Sequence, residues 1–229
     1  MNEYRQKLTA FLLQFIYERR YERITEVLDR RTPYIHVVLE DIYQSQNASA
    51  VLRSCDCFGV QNVHIIENQN AFKINPDVTM GAEKWLTLHH YKKDQNNTLF
   101  AMRALKQQGY RIVATTPHTN DVSLEEFDLS KGKIALCFGA EKPGVSRDII
   151  QQADECLYIP MVGFTESFNI SVSAAIILHH LSLKLHQSDI QWQLEPEKYE
   201  DLQLEWIIKS LKKPELLIKE FEKLNPHLK

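Results

Sequence analysis

Three polar stretches hold the residue types that could do chemistry: QSQNASAVLR (44–53), FGAEKPGVS (138–146) and IPMVGFTESFNISVS (159–173). Each follows an apolar, β-branched run, so each falls at the C-terminal end of a predicted parallel strand. Open α/β sheets place their ligands along that edge. Asn47, Arg53, Glu141, Ser167 and Asn169 bring amide, guanidinium, carboxylate and hydroxyl groups to these stretches. Such a set can orient a polar substrate and manage its charge. Caps and turns favour the same residue types. Asn47 as an N-cap, Ser167 and Asn169 as turn residues and Arg53 as a solvated helix charge satisfy the spacing equally well.

Several other chemistries are excluded by pattern. The chain has no GxGxxG dinucleotide fingerprint. Gly139 to Ser146 imitates a phosphate-binding loop, but Val145 stands where the obligatory lysine would be. There is no CxxC; Cys55 and Cys57 form a CxC on a predicted helix, where side chains two apart diverge. The nine histidines show no zinc spacing, so no metal is expected.

The elements that must position these loops alternate. YIHVVLEDI, NVHII, RIVATT, KIALCF and CLYIP read as strands, and WLTLHHY as a further short one. Helices are predicted over NASAVLRSCDCF (Asn47 as N-cap, Gly59 as stop), over NTLFAMRALKQQ (closed by Gly109), over RDIIQQA (capped by Ser146) and over SVSAAIILHHLSLKL. Ser123 and Glu126 suggest a capping box over a short helical turn. This order predicts an α/β fold, a mostly parallel sheet with helices on both faces. RRYERITEVLDRR reads as an amphipathic helix with Tyr21, Ile24 and Leu28 inward, stopped before Pro33. LQLEWIIKSLKK and PELLIKEFEKL read as added C-terminal helices. The expected organisation is an N-terminal helical extension (1–33), an α/β domain (34–187) and a C-terminal helical extension (188–229).

Composition agrees with an ordinary globular protein. Of 229 residues, 27 are basic and 30 acidic, giving a net charge of −3, so any polyanion must be met by a local basic cluster. No apolar run is long enough to span a membrane, and FLLQFI lacks the features of a secretory signal. Four cysteines without a disulfide pattern point to a reducing, cytoplasmic setting.

Taken together and in order, the three loops resemble the TrmH family of the SPOUT superfamily of RNA ribose 2′-O-methyltransferases. The first motif is carried by Asn47, Ser49, Ala50, Arg53, Asp56, Gly59 and Val60; the second by Phe138, Gly139, Glu141, Gly144 and Val145; the third by Ile159 to Met161, Gly163, Ser167, Asn169, Ser171, Val172, Ala174 and Ala175. Departures are Gln44-Ser45-Gln46 where members often have Lys-Pro-His, and Glu166 and Phe168 for a usual Gln and Leu.

The resemblance implies a deep trefoil knot that binds S-adenosylmethionine, with contacts falling on Thr115, Gly139, Ile159 and Phe168. It implies that Arg53 handles the target 2′-hydroxyl and the adjacent phosphate. A guanidinium is a poor base, so fixing rather than deprotonating is the expected role. Asn47 and Ser167 would orient Arg53 and the ribose, Glu141 would hold the active-site loop or Asn169, and Asn169 would shape the knot. It also implies a homodimer and an RNA substrate, with tRNA, modified at the D-loop guanosine, favoured by the short flanking helices. Arg19, Arg20, Arg23, Arg30 and Arg31 are the expected RNA contacts. The alternatives are a ribosomal RNA 2′-O-methyltransferase and an idle RNA-binding protein on the same fold.

Overall fold

The computed structural model describes residues 3–93, 96–117 and 121–228. They divide into two compact units. One joins the residues up to Arg31 with those from Gln193 onward; the other is Thr32–Trp192.

The first unit is helical. α1 (Glu3–Leu12) and α2 (Glu18–Leu28) bury Leu8, Leu12, Ile24 and Leu28, the residues at helical spacing on their apolar faces. Tyr21 is half-buried, while Arg19, Arg20 and Arg23 are exposed. α2 ends five residues before Pro33, so Arg30 and Arg31 lie beyond it. Arg30 is exposed, but Arg31 is 0% exposed, its guanidinium 5.2 Å from the Trp206 ring centroid. Grouping Arg31 with the exposed arginines is therefore corrected. Its helix stops at Leu28, and the turn that follows carries the side chain inward onto an aromatic face.

The second unit alternates strand and helix from β1 (Ile35–Glu40) and α3 (Ser45–Cys57) through β2 (Asn62–Ile66), α4 (Pro76–Thr79), β3 (Thr87–Tyr91), α5 (Asn97–Gln107), β4 (Arg111–Thr115), β5 (Val122–Ser123), β6 (Ile134–Phe138), α6 (Arg147–Gln152) and β7 (Glu155–Tyr158) to α7 (Ile170–His186). The chain then returns to the first unit with α8 (Pro196–Ser210) and α9 (Pro214–Leu224), each opened by a proline, whose missing N–H costs nothing there. α8 packs on α1 and α2, and Phe221 of α9 sits 5.5 Å from the Tyr4 ring and 5.6 Å from Phe11.

The strands form a seven-stranded parallel sheet in the order β3-β2-β1-β6-β4-β7-β5. Every residue of β1 and β6 is buried, as a parallel sheet covered on both faces requires. Alternate side chains serve two cores. Val37, Leu39 and Leu136 pack with Val51 and Leu52 of α3 and Leu178 of α7, while Val38, Ala135 and Cys137 pack with Met102 and Leu105 of α5 and Ile149 of α6. Gly59 (φ 77°) and Gly109 (φ 82°) reverse the chain after α3 and α5, in a conformation that costs a side chain strain.

Two local expectations are corrected. Asn47 is not an N-cap: α3 starts at Ser45 with Gln44 in the cap position, so Asn47 lies within the first turn and its amide is free for contacts elsewhere. Ser123 and Glu126 do bond, with Ser123 Oγ accepting from the Glu126 N–H (3.3 Å) and donating to Glu126 Oε2 (3.1 Å). The chain between them is a turn rather than a helix, because Ser123 already belongs to β5.

A chain of neutral rings crosses β1, β2 and β3, from Tyr110, just ahead of β4, to Tyr91, the last residue of β3. Tyr110 Oη donates to Pro33 O (2.8 Å), so His36 Nε2 must donate to Tyr110 Oη (2.9 Å). His36 Nδ1 then accepts from His64 Nε2 (2.9 Å), and the Tyr91 hydroxyl donates to His64 Nδ1 (2.9 Å). Burial pushes His36 down to about 2, helped by the neighbouring His64, and pushes His64 down to about 3. In the unfolded chain both return to about 6.5. Stability is thus fully present above that value. It falls as the unfolded state binds two protons that the folded state refuses, with a slope approaching about 2.7 kcal/mol per pH unit from the pair. Urea unfolding from pH 7 to 4 should show this loss, and His64→Gln should reduce the slope; an unaltered slope in that variant would contradict the assignment.

Candidate active site

β6, β4 and β7 are adjacent and parallel, so the loops that leave their C-terminal ends emerge side by side. They enclose a cavity of about 320 Å³. Its walls include Thr115 to Pro117 after β4, Phe138 to Glu141 after β6, and Tyr158, Ile159 and Ser167 to Ile170 after β7. Thr115, Gly139, Ile159 and Phe168, which the resemblance implies as cofactor contacts, all line this one cavity, together with Glu141, Ser167 and Asn169. Among the described lining residues Glu141 is the one charged side chain. The rest are apolar groups, hydroxyls and main chain. The Thr115 hydroxyl is already committed to Cys137 O (2.8 Å), tying the end of β4 to β6. Burial, and after it the charge of Glu40, pushes the Cys137 thiol up, so that sulfur is an inert part of its strand.

The β6–α6 loop doubles back on itself. The Gly144 N–H donates to Ala140 O (2.9 Å), and Gly144 takes φ 68°. A Cβ on Gly139 would fall 2.0 Å from the carbonyl carbon and oxygen of Gly144 and 2.2 Å from Val145 N. Those are main-chain atoms that cannot step aside. Ser146 then caps α6, its hydroxyl accepting from the Ile149 N–H (3.2 Å).

Asn47 joins the three polar stretches. Its Nδ2 donates to Glu141 Oε1 (2.8 Å) and to Gln44 Oε1 (3.1 Å), and its Oδ1 accepts from Asn169 Nδ2 (3.1 Å). The Gln44 N–H also donates to Glu141 Oε1 (3.3 Å). Asn169 caps α7, its Oδ1 accepting from the Ser171 N–H (2.8 Å) and hydroxyl (2.7 Å). Glu141 therefore grips Asn47, and it is Asn47 that reaches Asn169. Gln44, which the sequence shows only as a departure from the family pattern, is part of this cluster; no local signal marks it.

Arg53 and Ser167 stand outside the cluster. Arg53 lies on the exposed side of α3 and, among the described residues, has no ion-pair or hydrogen-bond partner. Ser167 lines the cavity with its hydroxyl likewise unengaged by a described residue. Arg19, Arg20, Arg23 and Arg30 belong to the other unit and form no part of this cavity. Among the described residues no group of His, Cys, Asp or Glu side chains is placed to hold a metal ion.

The cavity suits the expected cofactor. Its volume lies in the range of small-molecule sites, roughly 300–1,000 Å³. Phe138, Leu157, Ile159 and Ile177 offer apolar walls to an adenine, while the turn from Gly139 to Glu141 offers main-chain groups and one carboxylate to the polar parts.

Residues 34–179 match the model of the SpoU rRNA Methylase family. The tRNA (guanosine(18)-2′-O)-methyltransferase of Borreliella burgdorferi is 41% identical over 200 residues, covering 87% of this chain and 89% of the relative. The protein of the same description from Thermus thermophilus is 34% identical over 84% of this chain and 97% of its own. Among solved structures, the A. aeolicus TrmH/SpoU tRNA modifying enzyme superposes with a TM-score of 0.75 at 28% identity, over 85% of this chain and 98% of that one. The cavity, the Asn47 cluster that frames it and these likenesses together place the chain in the SpoU methylase family.

Proposed function

We propose that this protein is an S-adenosylmethionine-dependent ribose 2′-O-methyltransferase of tRNA, acting on guanosine 18 in the D-loop. The observation that carries the reading is a small-molecule cavity at the joined ends of β4, β6 and β7, framed by an amide that ties three polar loops together. The relatives described above act at that nucleoside according to their names, and they match nearly the whole chain. The family description names ribosomal RNA, but the likeness to the tRNA enzymes runs beyond residues 34–179, over 87% and 84% of this chain and 89% and 97% of theirs.

When bound, S-adenosylmethionine supplies an electrophilic methyl group. The chain's own part is alignment. Thr115, Gly139, Ile159 and Phe168 hold the cofactor against fixed main chain. Arg53, exposed and without a described partner, takes the phosphate beside the target ribose and orients its 2′-oxygen, a task for a planar fork of donors. The 2′-hydroxyl proton leaves to that phosphate or to water, because a guanidinium stays protonated. Ser167 offers its hydroxyl to the ribose. Holding the two reactants in line accounts for much of the barrier reduction.

Three further features belong to this reading. The knot implied by the family has the chain pass the cavity after β7 and return with α7 packed on α3. A homodimer is supported by apolar surface left open on the same segment, at Val162, Phe164 (108% exposed), Val172 and Leu183. A cytoplasmic setting fits the tRNA substrate, and no described helix is long and apolar enough to cross a membrane.

Labelled cofactor and an unmodified tRNA transcript should give one methylated nucleotide, mapped to guanosine 18; a label on ribosomal RNA alone would favour the alternative. Arg53→Ala should abolish transfer while cofactor affinity holds, and Arg53→Lys should fail as well. Near wild-type single-turnover rates would end the role given to Arg53.

Gly139→Ala should lose cofactor binding with the fold retained, since only the doubled-back loop has to open. Calorimetric titration with S-adenosylhomocysteine measures it, and wild-type affinity would show that the loop is not a cofactor wall.

Arg19, Arg20, Arg23 and Arg30 supply sequence-independent contact to tRNA in this reading, although Arg23 also pairs with Glu26 (3.2 Å). Replacing Arg19, Arg23 and Arg30 with Gln should lower the salt slope of tRNA binding by up to about one unit per arginine. An unchanged slope would move the contact to Lys209, Lys212 and Lys213.

A further inference from the structure

β1 ends in a carboxylate that the chemistry above does not use. Glu40 is 3% exposed, and among the described residues no cation pairs with it. Its partners are three donors instead. Oε2 accepts from the Ser146 N–H (2.8 Å), and Oε1 accepts from the Ser146 hydroxyl (2.7 Å) and the Thr98 hydroxyl (2.6 Å). A buried anion without a countercharge is costly, and so is a buried carboxyl whose donors do not converge. Two of the three donors come from one residue, and that residue closes the β6–α6 loop.

The loop is therefore held at both ends by the segment that leaves β1. Its front is tied through Glu141 to Gln44 and Asn47. Its back is tied through Ser146 to Glu40. Ser146 also joins this tie to α6: its hydroxyl donates to Glu40 while accepting from the Ile149 N–H. Just ahead of the front tie, Gly139 presses against Gly144 and Val145 with no room for a side chain. A loop folded that tightly has little slack to absorb the loss of one anchor.

We propose that Glu40 is a positioning residue for the cofactor: by gripping Ser146 it holds Gly139 to Glu141 where they wall the cavity. The role rests on reading that cavity as an S-adenosylmethionine site. It makes Thr98 the informative control, because Thr98 bonds the same carboxylate from α5 and, among the described residues, makes no hydrogen bond to the loop.

The test is calorimetric titration of S-adenosylmethionine into the full-length wild type, Glu40→Gln, Ser146→Ala and Thr98→Ala, with the urea midpoint of each recorded. Glu40→Gln and Ser146→Ala should each weaken the cofactor by roughly tenfold, the scale of one charge-assisted hydrogen bond. Their double variant should be no weaker than either alone, because both cut the same tie. Ser146→Thr, which keeps the hydroxyl, should recover most of the affinity. Thr98→Ala should lose stability yet bind as the wild type does. Affinity that fell in all three single variants in proportion to their stability would reduce Glu40 to a fold element. Wild-type affinity in Glu40→Gln would overturn the role outright. If Glu40→Gln does not fold, the Ser146→Ala and Ser146→Thr pair makes the same comparison. A wild type that binds no cofactor would instead bring down the reading of the cavity and this role with it.

Discussion

A primary amide carries a donor and an acceptor on one rigid plane, and at Asn47 both are spent on other loops. The donor faces Glu141 and the acceptor faces Asn169, so the group cannot rotate without breaking both contacts. At 7% exposure it has little water to fall back on. A buried polar group left unpaired costs about 1–3 kcal/mol, so the arrangement is held in one orientation. No other side chain can replace it simply. Aspartate would set a carboxylate against Glu141, and leucine would leave Glu141 and Asn169 facing an apolar surface. The three loops thus keep one mutual arrangement because a single flat group fits between them.

What brings the loops within reach of that amide is the sheet. Parallel strands send all their C-terminal ends to one edge, and the order β1-β6-β4-β7 puts the relevant four side by side. The sheet can be parallel because β1 and β6 are buried on both faces, with alternate apolar residues feeding two separate cores. The polar chemistry at one edge therefore depends on an apolar interior that excludes water from the strands themselves. The neutral histidine chain across β1, β2 and β3 extends the same economy: its histidines stay uncharged because they are buried, and each has a hydrogen-bond partner in a neighbouring strand.

The features legible in the sequence were those decided by neighbours a few residues away. Gly59 and Gly109 as stops, Ser146 as a cap, Pro214 as a helix start and the strands from Ile35 to Tyr158 all rest on local backbone preference or alternation. Asn47 shows the limit. Its type and place before a helix favour a cap, and a cap is what local rules return, but two of its three side-chain partners lie 94 and 122 positions further along the chain. Arg31 shows the same limit: nothing nearby in the sequence reveals that Trp206 will cover it. For the site, the resemblance singled out Thr115, Gly139, Ile159 and Phe168, and those four line one cavity. Glu40 gave a faint signal, a charge ending an apolar strand, that only its buried donors make readable.

The helical unit is assembled from the two ends of the chain, and that fixes when it can form. α1 and α2 expose Leu8, Leu12, Ile24 and Leu28 as soon as they are made, yet the helices that cover them, α8 and α9, are synthesised only after the whole α/β unit. At ribosomal speeds of about 5–20 residues per second, those apolar faces wait on the order of ten seconds for their partners. During translation α1 and α2 therefore emerge before the α/β unit and are buried only after it. A nascent chain stalled before Pro196 would present a finished parallel sheet with the apolar faces of α1 and α2 still bare, the kind of transiently exposed surface that invites aggregation.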